Sequence, residues 1–333
     1  MLRAQAVLFA ILFSMLALAL EPCAAAQAGP PSAAIGAGAG SRVGIEVGSE
    51  VRNEVDKDLS NKQPTPHSFS AAGASSGSKY DEDATAENEL LQDANKSREL
   101  AGAPMLRMDE TLREAARAHA QHMIENEELS HQFPGELALL ERIAYVGEVK
   151  LDRAGENVAY SNCASGANDA LMRSTPHREN LLDPGFNLAG IAAIWSKGRL
   201  YVVQDFGHEV PSYSAEQSRK LVSQAIAETR QQWELPALAQ LTPPHLDQAA
   251  CSLASQNRPD ARLLATADDD RKDGRKNDNR KVIAYTGSHP ESLPQGALRM
   301  LRDPSVRQFA VGSCYARNAA YPTGMYWIAI LLY

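Results

Sequence analysis

Two apolar runs of strand type, residues 190–194 and 200–206, flank a Lys197-Gly198 turn, and the patterned chain before them is helical in period. Leu90, Leu91, Ala94, Arg98 and Leu100 follow helical spacing, and Gly102 with Pro104 ends that helix. Asp109 caps a second helix, with Leu112, Ala115, Ala116, His119, Ala120 and Met123 on one face. Residues 136–146 add a helical stretch, and residues 170–172 belong to a further helix closed by Thr175-Pro176. Helices followed by a hairpin predict an α+β fold rather than a doubly wound parallel sheet.

The chain has 333 residues, enough for about two domains and tails. Arg3 precedes the apolar run 6–20, which is short for a membrane span, and Ala26-Gln27-Ala28 has the small-x-small pattern of a cleavage site. Residues 1–28 are therefore expected to be a signal peptide, and the mature chain to be secreted or periplasmic without a transmembrane segment. Glu21 and Pro22 oppose lipidation at Cys23, because small residues are expected there. Residues 29–87 read as a disordered linker, rich in Gly, Ala and Ser and poor in large apolar side chains. A net charge of −8 argues against nucleic acid as a partner. Loss of Cys23 would leave Cys163, Cys251 and Cys314, an odd count implying one free or intermolecular thiol. Cys251 and Cys314 are the expected pair, with three packed thiols as the alternative.

A series of short motifs follows in order. Asn95-Lys96-Ser97-Arg98 precedes Gly102-Ala103-Pro104-Met105-Leu106, and Ala115-Ala116-x-x-His119-Ala120-x-x-Met123 comes next. Ser130-His131-x-x-Pro134-Gly135, Gly155-Glu156-Asn157-Val158-Ala159, His177-Arg178-x-Asn180-Leu181-Leu182 and the run 201–206 complete it. Together these resemble the bacterial branch of the CAP/SCP superfamily, which includes cysteine-rich secretory and pathogenesis-related proteins. The resemblance covers residues 88–208. It implies an α-β-α sandwich with a cleft carrying two His and two Glu. His131, Glu156 and His177 match three of these, and Asn157 adjoins them in the ligand cleft. No Glu stands in residues 172–176, where the resemblance implies the second.

Two imidazoles and a carboxylate suit Zn²⁺ or another divalent cation, with His131 and His177 as the candidate ligands. Glu156 could instead orient an imidazole, or hold the loop by bonding backbone N–H groups. His119 and His122, three apart on a helix, are read as packed rather than metal-binding, because His119 lies on the apolar face. Cys163 is a weak candidate nucleophile, since nothing near it in sequence would activate the thiol.

Residues 215–333 repeat features of the first domain. The stretch from Arg230 to Pro236-Ala237-Leu238 answers Arg98 to Pro104-Met105-Leu106, and Leu246-Asp247-Gln248-Ala249-Ala250 answers Leu112-Arg113-Glu114-Ala115-Ala116. Residues 282–286 answer 157–161, Gly312 answers Gly190, and residues 326–329 answer 201–204. A tandem duplication is expected, with a degenerate second CAP-like domain. This alignment sets Lys281 opposite Glu156 and sets no His opposite His131 or His177; residues 268–281 become a charged loop. The last apolar run, 326–333, is expected to be a buried strand.

Three functions compete. One is a secreted binding or envelope-interaction module whose cleft takes a lipid, glycan or peptide. A second is a metal-assisted hydrolase with Glu156 as base. The third is a purely structural interaction protein. The missing second carboxylate and the absence of nucleophile motifs favour a protein that is not an enzyme.

Overall fold

The computed structural model describes residues 27–28, 80–259 and 280–333. The expected signal peptide and linker lie outside these apart from residues 27–28 and 80–87, and the charged loop apart from residues 280–281. The linker was expected to reach residue 87, but residues 81–82 form a strand and a helix starts at Ala84. Strand β2 (Asp81–Glu82) leads into helix α1 (Ala84–Ala101), because Asp83 caps the helix and anchors it to the sheet. Its carboxylate accepts from Ala86 N at 2.9 Å and from Trp195 Nε1 at 3.1 Å. Gly102 then ends α1 in the left-handed region at φ 73°.

The first unit continues with β3 (Arg107–Met108), α2 (Glu110–Asn126) and α3 (Leu139–Val146). Strand β4 (Leu151–Ser161), α4 (Ala164–Arg173), α5 (Thr175–Leu182), β5 (Leu188–Ser196) and β6 (Arg199–Glu209) follow. The sheet order is β1-β4-β6-β5-β2, where β1 is Gln27–Ala28; β3 lies parallel to β5. The β5–β6 hairpin turns at Lys197-Gly198, as expected. Ala116, Ala120 and Met123 of α2 cover one sheet face through Val158, Ala192, Ile194, Tyr201 and Val203. Helices α1, α4 and α5 cover the other through Ile191, Ala193, Val202 and Phe206. Full burial of side chains such as Leu90 and Ile191 stabilises this sandwich by roughly 1.5–3 kcal/mol each. The layers close tightly at Gly190, where an added Cβ would lie 2.1 Å from the Leu112 backbone carbon.

The second unit comprises α6 (Ala215–Gln232), β7 (Ala239–Leu241), α7 (Leu246–Ser255) and β8 (Lys281–Gly287). Helix α8 (Gln295–Leu301), β9 (Gln308–Ala316) and β10 (Met325–Leu332) complete it. Its sheet order β7-β9-β10-β8, with β7 parallel to β9, has the same sequence of connections as β3-β5-β6-β4. The last strand is central and buried, as expected.

Individual contacts correspond across the units. Arg98 donates from Nε to Pro104 O, from Nη1 to Leu181 O and Asp183 O, and from Nη2 to Phe186 O. Arg230 donates from Nε to Pro236 O and from Nη1 to Leu301 O and Asp303 O. Gly312 lies under Leu246 as Gly190 lies under Leu112.

The sheet register corrects the alignment. Glu156, Asp205 and Gly190 form one cross-strand row, and Ala284, Ala329 and Gly312 form its counterpart. Ala284, not Lys281, therefore stands where Glu156 does, and Ala329 where Asp205 does. Lys281 instead pairs with Asp303, as Arg153 pairs with Asp183. Cys251 and Cys314 form the expected disulfide, and in the full chain Cys163 is disulfide-bonded too.

Candidate functional site

The expected site residues gather at β4. Successive side chains on a strand point to opposite faces, so Glu156 faces α2 and α3 while Asn157 faces α5. His131, from the loop before α3, comes in on the Glu156 side. His177 is carried by α5 on the Asn157 side. Among the described residues, β4 is a sheet edge apart from the two-residue pairing with β1 at Ala159 and Tyr160. The two imidazoles stack there, with ring centroids 6.4 Å apart and planes inclined by 20°.

Each histidine is anchored through Nδ1. His131 Nδ1 donates to Glu156 Oε1 at 2.8 Å, and His177 Nδ1 shares a hydrogen bond with Ser174 Oγ at 2.7 Å. Ser174 thus lies in the segment where the resemblance implied a second Glu. The Thr175-Pro176 pair was read only as a helix end, yet it opens α5 and places His177 in the first turn. Burial, and secondarily the nearby His131, lower the pKa of His177 and keep it neutral. Asn157 Nδ2 donates to His177 O at 3.0 Å and to Gln204 Oε1 at 3.2 Å. Asn180 Nδ2 donates to Glu156 O and Asn157 Oδ1, each at 3.2 Å.

Glu156 is 6% exposed and lies in a network that the motifs did not reveal. Arg142 of α3 donates to Glu156 Oε2, and also to His131 O at 3.4 Å. It lies 3.6 Å from Glu136 Oε1. Burial alone would raise the pKa of Glu156. The His131 hydrogen bond and the Arg142, His119 and His131 charges outweigh it, so the net shift is downward. Glu136 is lowered in the same way: burial opposes, while His119 and Arg142 prevail. His119 is packed, as expected. Its Nδ1 faces Glu136 Oε1 at 2.7 Å and its Nε2 faces Ser130 O at 2.8 Å, so neither nitrogen is available to a ligand.

Asp205 lies across the strand pair from Glu156 and is fully buried; among the described residues, neither of its oxygens has a partner that donates. Burial raises its pKa well above the ordinary value, and the Glu156 charge adds to this. Burial and the facing Glu156 charge both favour the protonated form of Asp205. Sequence reading missed Asp205, Arg142 and Glu136. Charged residues inside a strand or an amphipathic segment were the only available signal.

The metal expectation can be tested on donor atoms. His131 Nε2 and His177 Nε2 are buried and unpartnered, which fits two nitrogen ligands of a divalent cation. Glu156 does not fit as the third ligand, because His131 and Arg142 engage its oxygens. Among the described residues, no group of three or more His, Cys, Asp or Glu could hold a metal ion.

Comparison with known proteins bears on residues 91–206, which match the family model described as the cysteine-rich secretory protein family, CAP. An uncharacterised Bacillus subtilis protein is 30% identical over 122 residues, covering 36% of this chain and 47% of its own length. An extracellular SCP-domain protein from Bacillus anthracis is 25% identical, covering 38% of this chain and 41% of its own, with a TM-score of 0.35. An outer surface protein from Borrelia burgdorferi is 20% identical, covering 38% and 94%, with a TM-score of 0.35. The chain thus spans less than half of either Bacillus relative.

Proposed function

Because the chain belongs, through residues 91–206, to the CAP superfamily of cysteine-rich secretory proteins, we propose that it is an exported binding module whose cleft ligand meets His131 and His177. The observation that carries this is the pair of buried Nε2 atoms without a partner among the described residues. The His131 Nδ1 bond to Glu156 fixes the ring, so that whenever the imidazole is neutral its lone pair is on Nε2. A neutral imidazole nitrogen accepts an N–H or O–H from a glycan, peptide or lipid headgroup. It can also bind a divalent cation. A cation held by His131 and His177 would polarise oxygen atoms bound to it.

The hydrolase alternative needs Glu156 as a base. A carboxylate held below its ordinary pKa by His131 and Arg142 is a weak base, and this favours binding over catalysis. Among the described residues, no helix is long and apolar enough to cross a membrane. Export is supported by the N-terminal apolar run and by the Cys251–Cys314 disulfide, which suits an oxidising compartment. The second unit reads as a degenerate copy of the first. Its shared connections, the Arg98/Arg230 contacts and the Gly190/Gly312 close approaches support this, with alanines replacing Glu156 and Asp205.

Calorimetric titration of Zn²⁺ into the exported protein, beside a His131→Ala/His177→Ala variant, tests the cleft. Binding that the variant loses while keeping its fold is expected. Equal heats for both proteins would remove the imidazole pair as the metal site.

A further inference from the structure

We infer that the second unit clamps the wall of the cleft in the first, with Arg317 and Thr323 as positioning residues. Both lie on the loop 317–324 between β9 and β10. Arg317 donates from Nη1 to Ala144 O at 3.2 Å and from Nη2 to Gly147 O at 2.9 Å. Those carbonyls lie in the last turn of α3 and just beyond it, where helix carbonyls lack partners of their own. Thr323 Oγ1, in a residue 2% exposed, donates to Leu151 O at 2.7 Å at the start of β4. The loop therefore grips both ends of the segment 144–151. Alongside it, Lys150 Nζ sits 4.1 Å from the Tyr315 ring centroid.

The loop is built to hold its shape. Asn318 Oδ1 accepts from the backbone N–H groups of Ala320 and Tyr321, and Asn318 Nδ2 donates to Ala254 O at the end of α7. Tyr315 Oη donates to Thr323 O at 2.8 Å. Gly324 has φ 96°, and a Cβ there would lie 2.5 Å from the Tyr315 ring. The Cys251–Cys314 disulfide ties β9 to α7 three residues before Arg317.

On the other side of the contact, α3 is a single eight-residue helix. Its Arg142 holds Glu156, and Glu156 holds His131. Gly147 allows the end of α3 to lie against Thr111 of α2, where a Cβ would meet Thr111 Oγ1 at 2.8 Å. A helix this short is marginal without tertiary support. Fixing its final carbonyls from the second unit fixes the turn that carries Arg142. The degenerate unit thus keeps a role after losing its own polar cluster, because it holds the intact one in register.

The proposed binding function gives this clamp its significance, but the contacts do not depend on a ligand. Hydrogen exchange on the ligand-free full chain therefore tests the clamp separately from the cleft reading. Arg317→Ala/Thr323→Val is expected to speed exchange in residues 142–147 about tenfold, with β10 unchanged. The His131 Nδ1 resonance in an imidazole-optimised ¹H–¹⁵N correlation is expected to move. Arg317→Lys, which can satisfy one carbonyl but not both, is expected to give intermediate exchange. Unchanged exchange in residues 142–147, or acceleration shared equally by β10, would overturn the clamp. A stationary His131 resonance would also overturn it.

Discussion

Replacing Arg142 by alanine removes the cation that holds Glu156 and lies beside Glu136. Arg142 is 6% exposed and both carboxylates are buried, so its loss leaves negative charge in a site with little solvent. Breaking a buried pair from one side costs about 3–5 kcal/mol. For a protein of this size, each kcal/mol lowers Tm by about 2–4 °C, so a fall of roughly 6–20 °C near neutral pH is expected. The pH dependence identifies the cause. In the native chain Glu156 is held below its ordinary pKa, so its contribution is present above that value and is lost as pH falls through the folded pKa. In Arg142→Ala, burial meets less opposition and raises the Glu156 pKa. Mild acid then protonates the carboxyl and relieves the unpaired charge, so the Tm gap to the native protein narrows as pH falls. Arg142→Lys keeps the charge but not the fork, and falls between the two. Thermal melts followed by circular dichroism across pH measure this. A deficit below about 1 kcal/mol, or one independent of pH, would refute the buried clamp.

Two further variants test Asp205 and the disulfide. Asp205→Asn cannot ionise and mimics the protonated acid. With a raised folded pKa, native Asp205 stabilises fully below its unfolded pKa, and that stability is lost as pH rises through the folded value. The variant should therefore gain on the native protein as pH rises above the ordinary carboxyl range in denaturant titrations. A constant difference as pH rises would mean that Asp205 does not hold a proton. Cys251→Ser/Cys314→Ser opens a link between residues 63 apart, and chain entropy puts the loss at about 4 kcal/mol. Thermal melts of the variant should show it, and an unchanged Tm would place the stability of the second unit elsewhere.

Much of the first unit was legible because its signals are local. Asp109 and Gly102 are helix-end residues, and the apolar face of α2 from Leu112 to Met123 has helical spacing. His131, Glu156 and His177 were found through motif order, and the structure brings all three to the β4 edge. Arg142 and Glu136 carried no such mark, since a charged residue in an amphipathic stretch normally reads as solvent-facing. Asp205 lies inside the run 201–206, and only the pairing of β6 with β4 sets it against Glu156. The Lys281 error has the same origin. Matching short apolar runs without knowing which strand residues pair leaves the register open, and a slip of one residue exchanges the two faces of a sheet.

The amino-acid sequence by itself determined the α+β class, the end of α1, the start of α2 and the β5–β6 hairpin, and the family resemblance pointed to His131, Glu156 and His177. These follow from periodicity, caps, turns and ordered motifs, which depend on neighbours along the chain. The tertiary structure alone decided which polar groups share a buried site. It placed Arg142 against Glu156, Asp205 across the strand from it, and Arg317 of the second unit on the end of α3. Those contacts join residues far apart in sequence, and their strength depends on burial and distance, which exist only once the layers have packed.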